Sequence, residues 1–222
     1  VGTLCGALNG ILSNKLKIHT MIVTLATMTL FQGLSYIISQ SKSFSSLPAA
    51  FKFIGQGYLG NLPVSIFALI AIVAVVSFIL NKTHYGRYVY AIGGNPDAAH
   101  LAGINVERVR LRTFALNGAL VGLAAVLLIS RSGSASSAMG TSLQFDSITA
   151  CILGGVSFTG GSGKVSNAVL GVLCLGVLSN GMQLIGWGIY VQYVVKAILL
   201  VIAIAFDMYT KNKVLADDAA NG

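Results

Sequence analysis

Few residues of this chain have the type and spacing that chemistry requires. The run GGSGK at residues 160–164 contains the glycines and the lysine of a phosphate-binding loop. That loop also needs a glycine where Phe158 stands and a serine or threonine where Val165 stands, so both requirements fail. We therefore expect no nucleotide to bind this chain.

The histidines and cysteines do not form a metal site or a catalytic set. The 3 histidines are widely separated, and the 3 cysteines lie in apolar stretches where they resemble small buried hydrophobic residues. No serine or threonine stands in a recognisable His/Asp arrangement. We predict no catalytic residue and no metal ligand, so the chain is not expected to be an enzyme.

A few polar residues lie at or within long apolar stretches, where they are candidates for contact with a solute: Asn117, Asp146, Asn180 and Gln183. Unsatisfied polar groups at such depth are costly, so these side chains must face protein or water. Hydrogen bonding between helices explains each of them as well as function does. Asp146 is the strongest candidate because it is ionisable and lies beside a broken segment. Lys196 is interpreted as a stem that snorkels toward the outer interface, and a role in the solute path is the alternative.

The composition places these residues in a membrane protein. The 222 residues are 55% hydrophobic and only 9% charged, with a mean hydropathy of +0.81. Long runs lack Asp, Glu, Lys and Arg altogether, for example residues 18–41, 53–81 and 165–195. A helix needs about 20 apolar residues to cross a bilayer core. The net charge of +8 could suggest a nucleic-acid partner, but no basic cluster interleaves with aromatic residues, and we expect none.

The fold class that follows is all-α, a polytopic bundle of transmembrane helices. Apolar segments are predicted at residues 1–12, 20–39, 63–80, 113–130, 165–184 and 189–206. Residues 143–158 form an interrupted segment that contains Asp146, and we predict a broken or re-entrant helix there. We expect residues 1–222 to form a single transmembrane domain, and the abrupt apolar start at Val1 suggests a fragment that lacks upstream helices.

Glycine marks two special regions of this bundle. Gly2, Gly6 and Gly10 recur at four-residue spacing, which lines one helix face with glycine and favours close approach of another helix. A second cluster is predicted to form a flexible, sharply turning break between membrane segments. This Gly-rich break comprises Gly154, Gly155, Gly160, Gly161 and Gly163.

The basic residues predict the orientation, because Lys and Arg accumulate in short cytoplasmic loops. Residues 81–112 hold five of them and are placed in the cytoplasm. Alternation then places a second set inside, namely Lys15, Lys17, Lys164, Lys211 and Lys213. Lys42, Lys52 and Arg131 fall outside, which leaves ten cations inside against three outside.

A short helix is predicted inside this cytoplasmic loop. In GGNPDAAHLAG (93–103), Asn95 suits the N-cap, Pro96 the first helical position, and Asp97 the positive end of the helix. Gly103 can adopt the left-handed conformation that ends it. Asn105 then caps the following helix, with Glu107 in its first turn. Such a short helix is only marginally stable in isolation. We interpret it either as a lever through which an attached motor moves the membrane helices, or as a solvated loop that only connects two spans.

Several long motifs resemble one family. The stretch HYGRYVYAIGGNPDAAHLAGINVERVRLRTFALNGAL (84–120) resembles the corresponding loop of permease subunits of sugar ABC importers, the ribose/xylose/galactose type. ACILGGVSFTGGSGKVSNAVLGVLCLGVLSNGMQLIG (150–186) and VQYVVKAILLVIAIAFD (191–207) are similar to its Gly-rich signature and its last span. The leading helices of that family are the part that we expect to be missing.

The resemblance implies a multi-pass permease of the bacterial inner membrane that forms the path for a monosaccharide. It implies a second permease, identical or different, ATP-binding cassette subunits that hold ATP and Mg²⁺, and an extracytoplasmic solute-binding protein; lipid surrounds the chain, which itself carries no cofactor. Arg87 and the cations Arg108, Arg110 and Arg112 would flank a coupling helix seated on the ATPase. The residues of that coupling helix would be Asn95, Pro96, Asp97, Ala98, Ala99, His100, Leu101, Ala102 and Gly103.

Other functions stay open at this point. The same architecture could import another polar metabolite, such as an autoinducer-type furanose, a nucleoside or a branched-chain amino acid. A gradient-driven secondary transporter would usually carry more paired intramembrane charges than Asp146 and Lys196. A membrane-embedded enzyme would need a clustered nucleophile, metal or acid/base set, which the sequence does not show.

Overall fold

The computed structural model describes residues 1–16, 18–45 and 47–221, with side chains described as far as residue 210. Lys17, which we assign to the cytoplasmic side, lies outside the described residues. The side chains of Lys211 and Lys213, assigned to the same side, also lie outside them.

The regular secondary structure of the described residues consists of helices, one small hairpin and one isolated bridge. Its elements are α1 Gly2–Leu16, α2 Thr20–Ser39, α3 Ala49–Gln56, β1 Tyr58–Leu59, β2 Leu62–Pro63, α4 Val64–Lys82, α5 His84–Gly94, α6 Pro96–Leu101, α7 Val106–Ser132, α8 Leu143–Leu153, α9 Val165–Leu184 and α10 Ile189–Asn221.

Five of the described helices are long and apolar enough to cross a membrane: α2, α4, α7, α9 and the Ile189–Thr210 part of α10. The predicted all-α polytopic fold is thereby confirmed. Two of the predicted segments, 20–39 and 165–184, coincide with α2 and α9. Helix α7 starts earlier than its apolar stretch because the helix that begins after the Asn105 cap continues without a break into the span.

Helix α8 is the interrupted segment that the sequence predicts. It has 11 residues, which span about 16 Å at 1.5 Å per residue, roughly half of a bilayer core. After Leu153 the chain turns through the Gly-rich break before α9 begins. The apolar segment therefore does not continue as helix to residue 158.

The chain divides into two compact units, residues Val1–Val89 with Asp97–Met139, and residues Tyr90–Pro96 with Gly140–Gly222. In the first unit, α1 and α7 pack antiparallel through glycine. A Cβ on Gly6 would overlap the Phe114 carbonyl oxygen, and one on Gly2 would overlap that of Gly118. The predicted close approach along the glycine face of α1 is confirmed. It allows backbone to touch backbone, which supplies dispersion contact where lipid offers no hydrophobic driving force.

The other end of α7 holds α3 and the segment after α2. Ser130 is fully buried; its hydroxyl accepts from the Gly55 N–H at 2.7 Å and donates to the Phe51 carbonyl at 2.6 Å. Phe44 pairs with Ala135 in an isolated antiparallel bridge. Lys42, Lys52 and Arg131 therefore belong to this end, whereas the Asn14 side chain next to Lys15 donates to the Glu107 carbonyl at the opposite end. This arrangement agrees with the predicted grouping for Lys15, Lys42, Lys52 and Arg131.

In the second unit, α8 packs against both α9 and α10. Gly171 on α9 lets the helices touch, since a Cβ there would overlap the Ala150 carbonyl oxygen. Thr149 and Ala150 are buried at this contact. The prediction that the whole chain forms one transmembrane domain stays a prediction.

Sequence patterns did not reveal two short helices and the hairpin. Helix α3 and the β1–β2 hairpin lie between α2 and α4, a stretch for which the sequence analysis predicts no element. Helix α5 occupies the first part of the basic loop, where we predicted helix only from residue 95. Each of the three is 11 residues or shorter, which is at or below the window of about 11–18 residues over which periodicity identifies an element.

Candidate coupling loop and translocation path

The basic loop consists of three consecutive helices. Helix α5 ends at Gly94, α6 runs over Pro96–Leu101, and α7 begins at Val106. Asn95 stands directly before α6, Pro96 occupies its first position, and Asp97 lies in its first turn, as predicted. The helix boundaries in this loop are the ones that the cap residues predict.

The end of α6 is a Schellman motif. Gly103 adopts φ +82°, its N–H donates to the His100 carbonyl at 2.9 Å, and the Ile104 N–H donates to the Ala99 carbonyl at 3.1 Å. A residue with a side chain is strained at this φ, so glycine is required here. The helix is therefore stopped at a defined residue rather than frayed.

The start of α7 is fixed by a side-chain cap. The Asn105 carboxamide accepts from the Arg108 N–H at 3.0 Å, as the predicted start signal requires. Arg110 donates to the Asn14 carboxamide at 3.5 Å, which ties the start of α7 to the end of α1. Arg87 contacts His84 Nδ1 at 2.6 Å within α5.

The exposed face of α6 is formed by most of its predicted coupling residues. Leu101 is 88% exposed, an unusual state for a leucine, whereas Ala99 is 5% exposed and belongs to the packed interior. Asp97, Ala98, His100 and Ala102 are exposed as well. A partner seated on α6 would therefore contact Leu101 and its neighbours, with Ala99 acting as a structural residue.

The Gly-rich break contacts the segment that leads into α6. The Tyr90 hydroxyl donates to the Gly163 carbonyl at 2.9 Å. A Cβ on Gly161 would lie 2.7 Å from the Gly94 backbone, and Gly161 itself adopts φ +78°. The predicted sharp turning and close packing of the break are thus present. The break packs against the segment around Tyr90 and Gly94, which is distant in sequence.

A carboxylate on α10 also holds this break. Asp207 Oδ2 accepts from the Phe158 N–H at 3.1 Å and from the Ser157 hydroxyl at 3.3 Å. Sequence reasoning missed this role of Asp207. The available signal was an acidic residue at the end of an apolar span, since a carboxylate there needs donors from protein or water.

The candidate path residue Asp146 forms an ion pair that the sequence did not predict. Lys196 Nζ lies 3.0 Å from Oδ1 and 3.1 Å from Oδ2 of Asp146, so α8 and α10 are joined at membrane depth. Lys196 is therefore not a snorkelling stem, because its ammonium is held by this carboxylate. The physical reason is that each charge supplies the counter-ion that the other needs in a low-dielectric region.

Two cavities open beside this ion pair, one lined by α8 and α10 and the other lined mainly by α8 and α9. The larger has a volume of about 430 Å³ and the smaller about 240 Å³, and Asp146 and Lys196 line both. Asn180 and Gln183 on α9 are exposed and line neither cavity, and Asn117 on α7 is exposed. Of the four predicted path residues, Asp146 is the one that the structure places beside these cavities.

These features define a polytopic helical membrane protein that carries a bounded helix in a basic loop and an ion pair in its membrane region. The chain belongs to the family described as the permease component of the branched-chain amino acid transport system, which matches residues 1–204. It is a multi-pass protein of the bacterial inner membrane.

Three of the relatives are permease proteins that are named for a sugar. The ribose import permease protein RbsC of Haemophilus influenzae is 37% identical over 219 residues, 97% of this chain and 68% of that protein. The L-arabinose transport system permease protein AraH of Escherichia coli is 41% identical over 201 residues, 90% and 61% of the two chains. The fructose import permease protein FrcC of Rhizobium meliloti is 34% identical over 219 residues, 95% and 61%.

The chain spans 61–68% of the length of these relatives. No solved structure matches it. The resemblance to sugar importer permeases that we drew from the motifs at 84–120, 150–186 and 191–207 is confirmed by these similarities.

Proposed function

We propose that this chain is the permease subunit of an ATP-binding cassette importer and forms the translocation path for a monosaccharide such as ribose. The observation that carries the proposal is its 37% identity, over 97% of the chain, to a protein named as a ribose import permease. Relatives named for arabinose and fructose import support the same solute class.

The expected partners follow from this class of transporter. A second permease, identical or homologous, would complete the path, and two ATP-binding cassette subunits would bind ATP and Mg²⁺ on the cytoplasmic side. A solute-binding protein would deliver the sugar from outside. This chain then contributes neither a cofactor site nor a catalytic residue; its task is to change conformation when the ATPase does.

Helix α6 is the proposed coupling helix. Its two ends are fixed by Pro96 and by the Schellman motif at Gly103, so a push on its exposed face moves it as a body. The segment Tyr90–Pro96 lies directly before it and contacts the Gly-rich break through Tyr90 and Gly161. Asp207 joins the same break to α10. A displacement of α6 would therefore reach the α8–α9 connection and α10 through direct contacts.

A second solute class is compatible with the same architecture. The family description names branched-chain amino acids, so uptake of leucine is the alternative to be measured. A gradient-driven secondary transporter is not favoured, because the named relatives are import permeases of the ribose, arabinose and fructose type.

The function is tested by reconstituting the permease in liposomes with its ATPase subunits and its solute-binding protein. We expect uptake of radiolabelled ribose, arabinose or fructose that requires ATP inside and the binding protein outside. Uptake that persists without the ATPase subunits would contradict the proposal, and ATP-dependent uptake of leucine in place of sugars would assign the other solute class.

The role of α6 is tested by Leu101→Asp. Leu101 is 88% exposed, so the substitution should leave the permease inserted and folded while it removes an apolar contact with the ATPase. We expect binding of the ATPase to weaken by about tenfold or more, as for loss of an interface anchor, measured by co-purification and by uptake. Leu101→Met is the matched control and should behave as wild type. Equal ATPase binding by both variants would exclude Leu101 from the contact.

A further inference from the structure

The Asp146–Lys196 ion pair is more exposed than expected for an ion pair that only joins two helices. Its geometry is close, with both carboxylate oxygens within 3.1 Å of the ammonium. Yet the Lys196 side chain is 17% exposed and that of Asp146 is 31% exposed. A pair that only joined two helices would gain from being sealed, whereas these two side chains keep part of their surface exposed and line the cavities beside α8.

The larger cavity surrounds the pair with hydroxyls and aromatic rings. Thr141 and Ser142 line it at the start of α8, Phe145 follows on α8, and Tyr193 lies one turn before Lys196 on α10. Its volume of about 430 Å³ falls within the usual size of small-molecule sites, roughly 300–1,000 Å³. The remaining lining residues are Thr149, Ala197 and Leu200.

This combination of groups suits an uncharged polyhydroxylated ligand. Sugar hydroxyls both donate and accept hydrogen bonds, so they can bind a carboxylate and an ammonium at the same time. An aromatic ring covers the apolar C–H face of a sugar. Among the described residues that line this cavity, Asp146 and Lys196 are the charged ones and their charges cancel. A neutral ligand can bind without breaking the pair, whereas an anionic ligand would face the carboxylate.

We propose that this cavity is a monosaccharide-binding site within the permease itself. The Asp146 carboxylate accepts hydrogen bonds from sugar hydroxyls, and the Lys196 ammonium donates to them. The rings of Phe145 and Tyr193 provide the apolar wall, and the Tyr193 hydroxyl adds one neutral hydrogen bond to the sugar. The inference rests on the proposed function and adds to it the residues that contact the sugar. The affinity is low, since a site inside a translocation path must release its solute as readily as it receives it.

A zwitterionic amino acid is the competing ligand for an Asp/Lys pair. Its carboxylate would take Lys196 and its ammonium Asp146, but this requires separation of two side chains that lie 3.0 Å apart. The closed pair therefore favours the sugar. The alternative is that the ion pair only holds α8 against α10. In that case, exchange of the two charges would preserve the ion pair and its structural effect.

The test uses the full permease bound to its ATPase subunits in lipid nanodiscs, without the solute-binding protein. Saturation transfer from protein to ligand protons is measured by NMR with D-ribose, L-arabinose, D-fructose and L-leucine. We expect transfer to at least one sugar, with the dissociation constant raised about tenfold by Asp146→Asn and about threefold by Tyr193→Phe, in line with loss of a charged and a neutral hydrogen bond. Tyr190→Phe is the matched control, since Tyr190 is 81% exposed and lies outside the cavity.

The double substitution Asp146→Lys with Lys196→Asp distinguishes a sugar-binding site from a purely structural ion pair. Wild-type sugar binding by the exchanged protein would overturn the proposal, as would binding that none of the cavity variants changes, or saturation transfer to leucine instead of the sugars. Thermal stability of each variant is measured alongside, and Tyr193→Phe keeps the test valid if Asp146→Asn fails to fold.

Uptake by the complete reconstituted transporter distinguishes this inference from the function on which it rests. ATP-dependent uptake of a sugar that shows no variant-sensitive saturation transfer would refute the binding site and leave the importer assignment intact. Absence of ATP-dependent uptake of all three sugars would refute the assignment itself.

Discussion

At the scale of single residues, glycines with the same backbone conformation can differ in their packing contacts. Gly161 and Gly186 both adopt a left-handed backbone, with φ +78° and +82°. A Cβ on Gly186 would meet open space, whereas one on Gly161 would lie 2.7 Å from the Gly94 backbone. The two positions therefore share the same conformational requirement, and only Gly161 adds a contact with the segment that precedes α6.

This pair isolates the contact experimentally. Gly161→Ala and Gly186→Ala each carry the strain of a side chain at positive φ, roughly 1–2 kcal/mol. We expect Gly161→Ala alone to lower sugar uptake per ATP hydrolysed, by about tenfold, because the methyl group displaces Gly94 at an overlap cost of about 1–3 kcal/mol. The measurement is uptake and ATP hydrolysis in the same proteoliposomes. An equal loss in both variants would show that strain, and not the contact, matters.

At the scale of elements, the first unit depends on close packing between α1 and α7. Gly2, Gly6 and Gly10 bring the α1 backbone against Phe114 and Gly118 of α7. Such a contact tolerates no added carbon atom on the glycine face. By contrast, Gly33 in α2 has no atom within 4 Å of the site of a Cβ.

We expect Gly6→Ala to reduce the free energy of unfolding by about 1–3 kcal/mol, because its Cβ would overlap the Phe114 carbonyl and force the helices apart. Thermal unfolding of the detergent-purified permease measures this effect. Gly33→Ala is the matched control in another helix and should leave the melting temperature nearly unchanged. If the two variants have the same melting temperature, the α1–α7 contact does not determine stability.

At the scale of the whole molecule, hydrogen bonds within each unit show which helix ends of that unit lie together. In the first unit, Lys42, Lys52 and Arg131 belong to the end where Ser130 holds α3, and Lys15 belongs to the end where Asn14 holds α7. In the second unit, Asp207 and the Gly-rich break share one end. The assignment of these ends to cytoplasm or exterior remains the prediction made from the basic residues.

That orientation is checked by cysteine labelling in a background where Cys5, Cys151 and Cys174 are replaced by alanine. We expect H100C on α6 to react with an impermeant maleimide only from the cytoplasmic side, and K42C only from outside, since both side chains are exposed. Intact cells and inverted membrane vesicles provide the two sides. Labelling of H100C in intact cells would reverse the topology and remove α6 from reach of an ATPase.

Much of the architecture was readable from sequence because its causes are local. Apolar length predicts α2 and α9 to the residue, and the caps at Asn95, Gly103 and Asn105 predict α6 and the start of α7. These signals arise within a few residues, from hydrophobicity and from backbone groups that need partners. The short elements α3 and α5 escaped because they have neither a long apolar run nor a strong cap.

The sequence by itself therefore determined that this chain is a membrane-embedded helical permease with a bounded helix in a basic loop. Only the tertiary structure decided which distant residues meet: Lys196 with Asp146 across 50 positions, and Tyr90 with Gly163 across 73. The physical reason is that a charge in an apolar segment indicates that a partner is needed, but the sequence does not show where that partner lies. Helix packing supplies that answer, because it brings residues together according to which faces fit and not according to their order along the chain.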